Sequence, residues 1–329
     1  MTILKSLTFD DVLLVPNYGN KSRDDGSVET ALGPYKFSIP IIASNMDTIC
    51  GVDMAVAMAK LGGLGILHRF MFIEENVLAY KTACGFHKGY VVGVSVGVNE
   101  GEMTRAAALY DAGARLFCVD IAHAHCKQMG KMIKALKTVY SDIYVIAGNI
   151  CTYSGADYLV GVGADAVKVG VGAGSVCTTR EVTGFGVPQL TAIMDCARID
   201  RPIIADGGIR KSGDVVKALA AGAMMVMLGS MLAGTDEACD TAGRYRGMAS
   251  AEARKDYYGT ESGWRAAEGI SIDVEPKGPV ANVIAEIVGG IKSGLSYAGA
   301  RTLSELRRKA SFVEISHATY IEGMPHGLS

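Results

Sequence analysis

RPIIADGGIRKSGDVVKALAAGAMMVMLGSM (residues 201–231) reads as a complete strand–helix–strand unit. It opens on the apolar run RPIIADGGI (201–209) and closes on MMVMLGSM (224–231), each ending in small or polar residues. Near-continuous apolar runs of this length suit strands buried on both faces, as in a parallel sheet. Between them, KSGDVVKALAAGA (211–223) carries Val215, Val216, Leu219 and Ala220 on one helical face, and Ser212 is placed to cap that helix.

The same alternation extends outward from this unit. Six further apolar runs precede it: IPIIASNMD (39–47), GGLGILHR (62–69), YVVGVSVG (90–97), LFCVDIAHAH (116–125), IYVIAGNI (143–150) and ADAVKVGVG (164–172), making eight in all. Helical segments lie between and after them, among them 51–62, 99–114, 280–295 and 300–310. Strand alternating with helix eight times predicts an α/β chain folded as one (β/α)8 TIM barrel domain over 1–329. A doubly wound open sheet is the alternative, but no GxGxxG follows the first run. Two parts fall outside the repeat. Residues 1–38 precede the first run, and 232–279 form a long, charged, glycine-containing insertion after the eighth, read here as a lid.

Composition narrows the function. The chain has 329 residues, 49% hydrophobic and 20% charged, with net charge −2. It has no global basic field to suggest a nucleic acid or an anionic membrane as partner. Its eight cysteines (50, 84, 118, 126, 151, 177, 196 and 239) form no CxxC pair and have no zinc-type spacing. Free thiols in apolar runs fit a reducing, cytoplasmic compartment. The N-terminus has no signal-peptide pattern, and no run reaches the roughly 18 apolar residues of a membrane span.

In a barrel of this class the chemistry sits at the C-terminal ends of the strands. Those ends hold Asn45, Met46, Asp47, His68, Arg69, Asp120, Asn149, the 170–180 loop, Asp206-Gly207-Gly208 and Gly229-Ser230. Small residues after strands seven and eight expose backbone N–H groups and so favour a phosphate site over ordinary tight turns. Cys177, in GVGAGSVCTTR (170–180), lies in a loop beside Ser175, Thr178, Thr179 and Arg180. Buried structural thiols are the commoner case, but hydroxyls and a guanidinium nearby would stabilise a thiolate suited to attack an electrophilic carbon. His123 and His125 have no third ligand and read as ordinary polar loop groups.

The segments FDDVLLVP (9–16), NMDT (45–48), VDIAHAH (119–125), AGN (147–149), KVGVGAGSVCTTR (168–180), GVPQLTA (186–192), ADGGIR (205–210) and YRGMAS (245–250) together resemble the IMP dehydrogenase / GMP reductase family. The resemblance runs in order along essentially the whole chain. Three features resemble the reductase branch. Arg69 runs to the third strand with no room for the paired CBS regulatory module that dehydrogenases usually carry. KDYYGTES (255–262) has no Arg-Tyr pair of the dehydrogenase lid, and WRAAEG (264–269) is similar to the reductase YRASEG. LAGTDEA (232–238) and KSGLSYAGA (292–300) look more like the dehydrogenase, so a dehydrogenase lacking the CBS module, converting IMP and NAD to XMP, is the alternative.

The resemblance implies NADPH-dependent reductive deamination of GMP to IMP and ammonia, with Cys177 as nucleophile and Thr179 and Glu268 moving protons. It implies ribose binding by Asp206, phosphate binding by Ser175, Gly208, Gly229, Ser230 and Tyr245, and a place for Gly207 in the same substrate site. Gly247, Met248, Ala249, Arg265 and Gly269 would complete the substrate site. For the cofactor it implies Arg69, Asp120, Ile121, Ala122, Val171, Gly172, Trp264 and Arg265. Ser22 and Arg23, with Ser293, Gly294, Leu295 and Ser296, complete the cofactor set, the first two from a neighbouring subunit of a homotetramer. Carbonyls of Gly172, Gly174 and Cys177 would ring a potassium ion.

Overall fold

Each of the eight apolar runs contains a strand, and in the computed structural model these strands close on themselves as a parallel barrel. The structure describes residues 3, 5–19, 22, 25–240, 243–259 and 266–325. The barrel strands are β1 (Ile41–Ala43), β2 (Leu64–Leu67), β3 (Val92–Val96), β4 (Leu116–Asp120), β5 (Tyr144–Ile150), β6 (Ala166–Val169), β7 (Ile203–Asp206) and β8 (Met225–Leu228). β8 pairs with β1 through Val226 and Ile41, which closes the ring. Around it run α1 (Val52–Lys60), α2 (Ile73–Gly85), α3 (Glu102–Asp111), α4 (Lys127–Val139), α5 (Tyr153–Gly161), α6 (Gln189–Cys196), α7 (Ser212–Ala220) and α8 (Val280–Tyr297).

The strands read as continuous apolar runs because both faces are covered. One face meets the helices; the other fills the barrel with Ile42, Leu64, Ile66, Leu116, Cys118, Ile146, Ile204 and Met227. The helices follow the complementary rule. α4 buries Met129, Met132, Ile133 and Leu136, spaced to form one stripe. The four residues expected to face inward on α7 are all buried.

The expected cap of α7 is not formed. Lys211 holds the cap position and Ser212 begins the helix. The Asp214 carboxylate instead accepts the Arg210 N–H at 3.0 Å. Ser212 is taken up by packing: a Cβ on Gly290 of α8 would lie 2.5 Å from its own Cβ.

The segments outside the repeat close the two ends of the barrel. A hairpin, Thr30–Leu32 with Tyr35–Phe37, puts Leu32 and Phe37 into the interior cluster and so plugs the N-terminal mouth. Val12–Leu14 pairs antiparallel with Phe312–Glu314, joining the two terminal regions. The insertion 232–279 carries a two-stranded ribbon, Arg244–Arg246 with Ser271–Asp273, and a helix, Ala251–Tyr258. Ser250 caps that helix, its hydroxyl accepting the Ala253 N–H at 3.2 Å. Among the described residues no helix is long and apolar enough to cross a membrane.

Candidate active site

The loop after β6 is shaped by close backbone approach. A Cβ on Gly170 would fall 1.8 Å from the Asp206 carbonyl oxygen, and one on Gly207 would fall 3.0 Å from the Gly174 nitrogen. Gly207 also has φ +90°, a conformation that favours glycine. The ends of β6 and β7 can therefore touch, and the loop turns back so that the Cys177 N–H donates to the Gly174 carbonyl at 3.1 Å.

The lid then fastens onto this loop. Thr178 N–H donates to the Glu268 carbonyl at 3.1 Å, Ile270 N–H to the Val176 carbonyl at 3.0 Å, and Cys177 bridges antiparallel to Gly269. This pairing delivers Glu268, 89 residues beyond Thr179, to the cysteine. The Cys177 thiol donates to Thr179 Oγ1 at 3.2 Å, and that hydroxyl donates to Glu268 Oε2 at 2.7 Å. Thiol, hydroxyl and carboxylate form an unbroken path for a proton. Arg180 differs from the sequence expectation. Its guanidinium donates to the Val187 carbonyl at 2.7 Å and to Val171 at 3.5 Å, bracing the loop instead of serving the thiol.

Beside the loop lies a buried polar network that the sequence reading did not find. Lys168, on β6, is 2% exposed. Its ammonium meets Asp120 Oδ1 at 2.8 Å and Asp206 Oδ2 at 2.7 Å, and also donates to Asn149 Oδ1. Asn45 donates to Asp120 Oδ2 at 3.0 Å, and Asn149 to Asp206 Oδ2 at 2.9 Å. Burial opposes the charge on Asp120, but Lys168 and the hydrogen bonds outweigh it and hold the carboxyl below its ordinary value. The signal was in the sequence: a lysine inside the apolar run AVKV must be paired if the strand is buried.

At the other end Tyr245 is buried, with Ser175 and the Ser230 backbone beside its phenol. Burial pushes its phenol up to about 12, so it is neutral at pH 7. A cavity of about 740 Å³ joins these parts. Its wall includes Ser175, Asp206, Gly207, Gly208, Gly229 and Ser230, and on the lid side Tyr245, Gly247, Met248, Ala249 and Glu268. Arg69, Asp120, Ile121, Ala122, Gly172, Gly174, Cys177 and Thr179 line it too.

Other expected positions lie elsewhere. Val171 and Gly269 sit behind the wall, Gly269 packed against Gly247 and Val176. Ser22 does not line the cavity, nor do Ser293, Gly294, Leu295 and Ser296, which lie on α8; there Gly294 packs on Val216 and Leu295 is buried. Arg23, Trp264 and Arg265 lie outside the described residues. His123 and His125 have ring centroids 6.4 Å apart, and no cluster of metal-ligating side chains occurs among the described residues.

A second feature absent from the sequence reading is the latch that holds the lid helix down. Asp47, in the turn four residues after β1, accepts from Arg246 Nη2 at 2.5 Å and from the Tyr257 hydroxyl at 3.0 Å. Arg246 also pairs with Asp256 at 2.6 Å. The Phe70 ring lies between the Arg69 guanidinium (4.8 Å) and the Tyr257 ring (5.1 Å). His68 is buried nearby. Burial lowers its imidazole to about 4, with Asp47 opposing and Arg105 adding to the shift. The unfolded chain protonates this group near its ordinary value while the fold resists it. The contribution of His68 to stability is therefore complete above about pH 6.5 and is lost as pH falls towards 4, up to about 3 kcal/mol. Urea unfolding between pH 7 and pH 4.5 should show a shallower loss in His68→Gln than in the parent chain. Equal slopes would show that His68 is not held neutral.

The arrangement matches known proteins over its full length. The family model described as IMP dehydrogenase / GMP reductase domain matches residues 6–326. An IMP dehydrogenase of Nitrosopumilus maritimus (strain SCM1) is 34% identical, with 99% of both chains covered. That alignment runs over 471 positions, so the relative carries residues with no counterpart in this shorter chain. A GMP reductase of Leishmania major is 32% identical, covering 100% of this chain and 98% of that one. Among solved structures, a cysteine-to-alanine variant of GMP reductase from Trypanosoma brucei, in complex with guanosine 5′-monophosphate, superposes with a TM-score of 0.92. Its identity is 32%, over 100% of this chain and 99% of that chain. The chain belongs to the IMP dehydrogenase / GMP reductase family, oxidoreductases that use nicotinamide nucleotide cofactors.

Proposed function

We propose that the protein is a GMP reductase, converting GMP and NADPH to IMP, ammonia and NADP with uptake of protons. The observation that carries this reading is the hydrogen-bonded path from Cys177 through Thr179 to Glu268. The dehydrogenase direction needs a lid group that activates water. In the lid stretch 255–262, Asp256 and Tyr257 are both engaged by the Asp47–Arg246 latch.

In this mechanism the Cys177 sulfur bonds to purine C2 and the 2-amino group leaves. The thiol proton passes through Thr179 to Glu268, which returns a proton to the departing amine so that it leaves as ammonia. The product is a thioimidate between Cys177 and the purine. NADPH, when bound, supplies the hydride that converts this carbon to the C2–H of IMP and frees the cysteine sulfur. Asp206 accepts from the ribose hydroxyls. Ser175, Gly207, Gly208, Gly229, Ser230 and Tyr245 hold the phosphate, and Gly247, Met248 and Ala249 meet the base. The cofactor would lie on the side of the cavity where Arg69 Nε is buried without a hydrogen-bond partner among the described residues and suits an anionic group.

Potassium would be held by the carbonyls of Gly172, Gly174 and Cys177, hard oxygen donors suited to such an ion. Ser22 and Arg23 would act in a homotetramer, where one subunit completes the cofactor site of another. The chain is read as one catalytic domain without a CBS module, working in the cytoplasm.

Incubation with GMP and NADPH, followed by chromatography of the nucleotides, should yield IMP with loss of the reduced cofactor. Failure of that reaction, with XMP formed from IMP and NAD, would establish the dehydrogenase instead.

A further inference from the structure

The ammonium of Lys168 has three N–H donors and three oxygen partners within the fold: it donates to Asp206 and Asn149 and pairs with Asp120 at 2.8 Å. No donor is left for a ligand, although Lys168 reaches the cavity wall. It can therefore act only through the groups it holds. The two carboxylates end different strands. Asp206 ends β7 beside the Gly207-Gly208 turn, whereas Asp120 ends β4 and continues into Ile121 and Ala122. Asp206 Oδ2 receives both Lys168 and Asn149, while its Oδ1 accepts nothing from the described residues and remains available to a hydroxyl donor.

Each carboxylate is thus set in place by the same buried cation. Without it, two anions about a lysine head group apart would repel in a poorly solvated space. A ligand that draws on the Asp206 carboxylate changes how strongly Lys168 pulls on Asp120, and the reverse holds equally, because coupling between sites is reciprocal.

We propose that Lys168 is a positioning residue that couples the nucleotide half of the cavity to the cofactor half by fixing Asp206 and Asp120 on one ammonium. This rests on the proposed function, with Asp206 on the ribose and Asp120 on the cofactor side of the cavity with Arg69.

Calorimetric titrations with GMP and, separately, with NADP test it, using the parent protein and the Lys168→Met, Lys168→Arg and Asp206→Asn variants, each checked by thermal unfolding. Lys168→Met should weaken both ligands by about tenfold or more, within the usual range for coupled sites, and Lys168→Arg should restore most of both affinities. Asp206→Asn should weaken NADP as well as GMP, although it lies on the nucleotide side. A Lys168→Met protein impaired towards one ligand alone would overturn the coupling, as would an Asp206→Asn protein with unchanged NADP affinity. If Lys168→Met does not fold, the Asp206→Asn titrations decide. A parent protein that binds neither GMP nor NADP would instead overturn the reading of the site.

Discussion

Replacing Cys177 by alanine should lower turnover by about 10⁴-fold or more while leaving GMP binding within a few-fold of the parent. The magnitude follows from what the sulfur does. It is the only group in the proposed path that forms a bond to the substrate, so its loss removes the covalent route entirely. The binding contacts lie on other residues: Asp206, the Gly207-Gly208 turn, Gly229-Ser230 and Tyr245. Cys177 is half-buried in a loop whose backbone is held by the Gly174 carbonyl and the Gly269 bridge, and neither needs the side chain. The variant should therefore fold normally. Steady-state assays with GMP and NADPH, with calorimetry of GMP, separate the two effects. Turnover within tenfold of the parent would contradict a covalent mechanism.

Replacing Glu268 by glutamine should lower kcat by about 10²–10⁴-fold, the usual contribution of a positioned acid–base group. The amide oxygen can still accept from Thr179 Oγ1, so the lid-to-loop pairing persists and the melting temperature should change little. What is lost is a group that can hold and return a proton. Thr179→Ala breaks the same path one step earlier. The double variant should then be little worse than the poorer single one, because residues acting as a unit are not additive. Additive losses in log kcat would show that Thr179 and Glu268 act separately.

Much of the fold was legible because burial on both strand faces leaves an unbroken apolar run, and all eight runs contain barrel strands. The segments at 1–38 and 232–279 were not legible in detail. Their strands are three residues long, and their pairing partners are distant or irregular, as with Val12–Leu14 and Phe312–Glu314. Ser212 shows the limit of a local rule: a cap residue one position into the helix is claimed by packing against Gly290. In the site, Cys177 was singled out by its loop and Thr179 and Glu268 through motif resemblance, and the structure brings them within hydrogen-bond reach. Lys168 and the Asp47–Arg246–Tyr257 latch were missed because each depends on charges that meet only when separate segments fold together. The α8 positions 293–296 do not line the cavity, and their assignment to the cofactor rests on the resemblance alone.

The central claim is that Cys177 expels the purine 2-amino group, with Thr179 and Glu268 carrying the proton, before NADPH reduces the same carbon. Parallel measurement of ammonia released and NADPH oxidised, with GMP as sole nucleotide, tests it most directly. The account predicts one ammonia per NADPH in the parent protein and neither in Cys177→Ala. NADPH oxidation without ammonia, or ammonia release undiminished in Cys177→Ala, would contradict it.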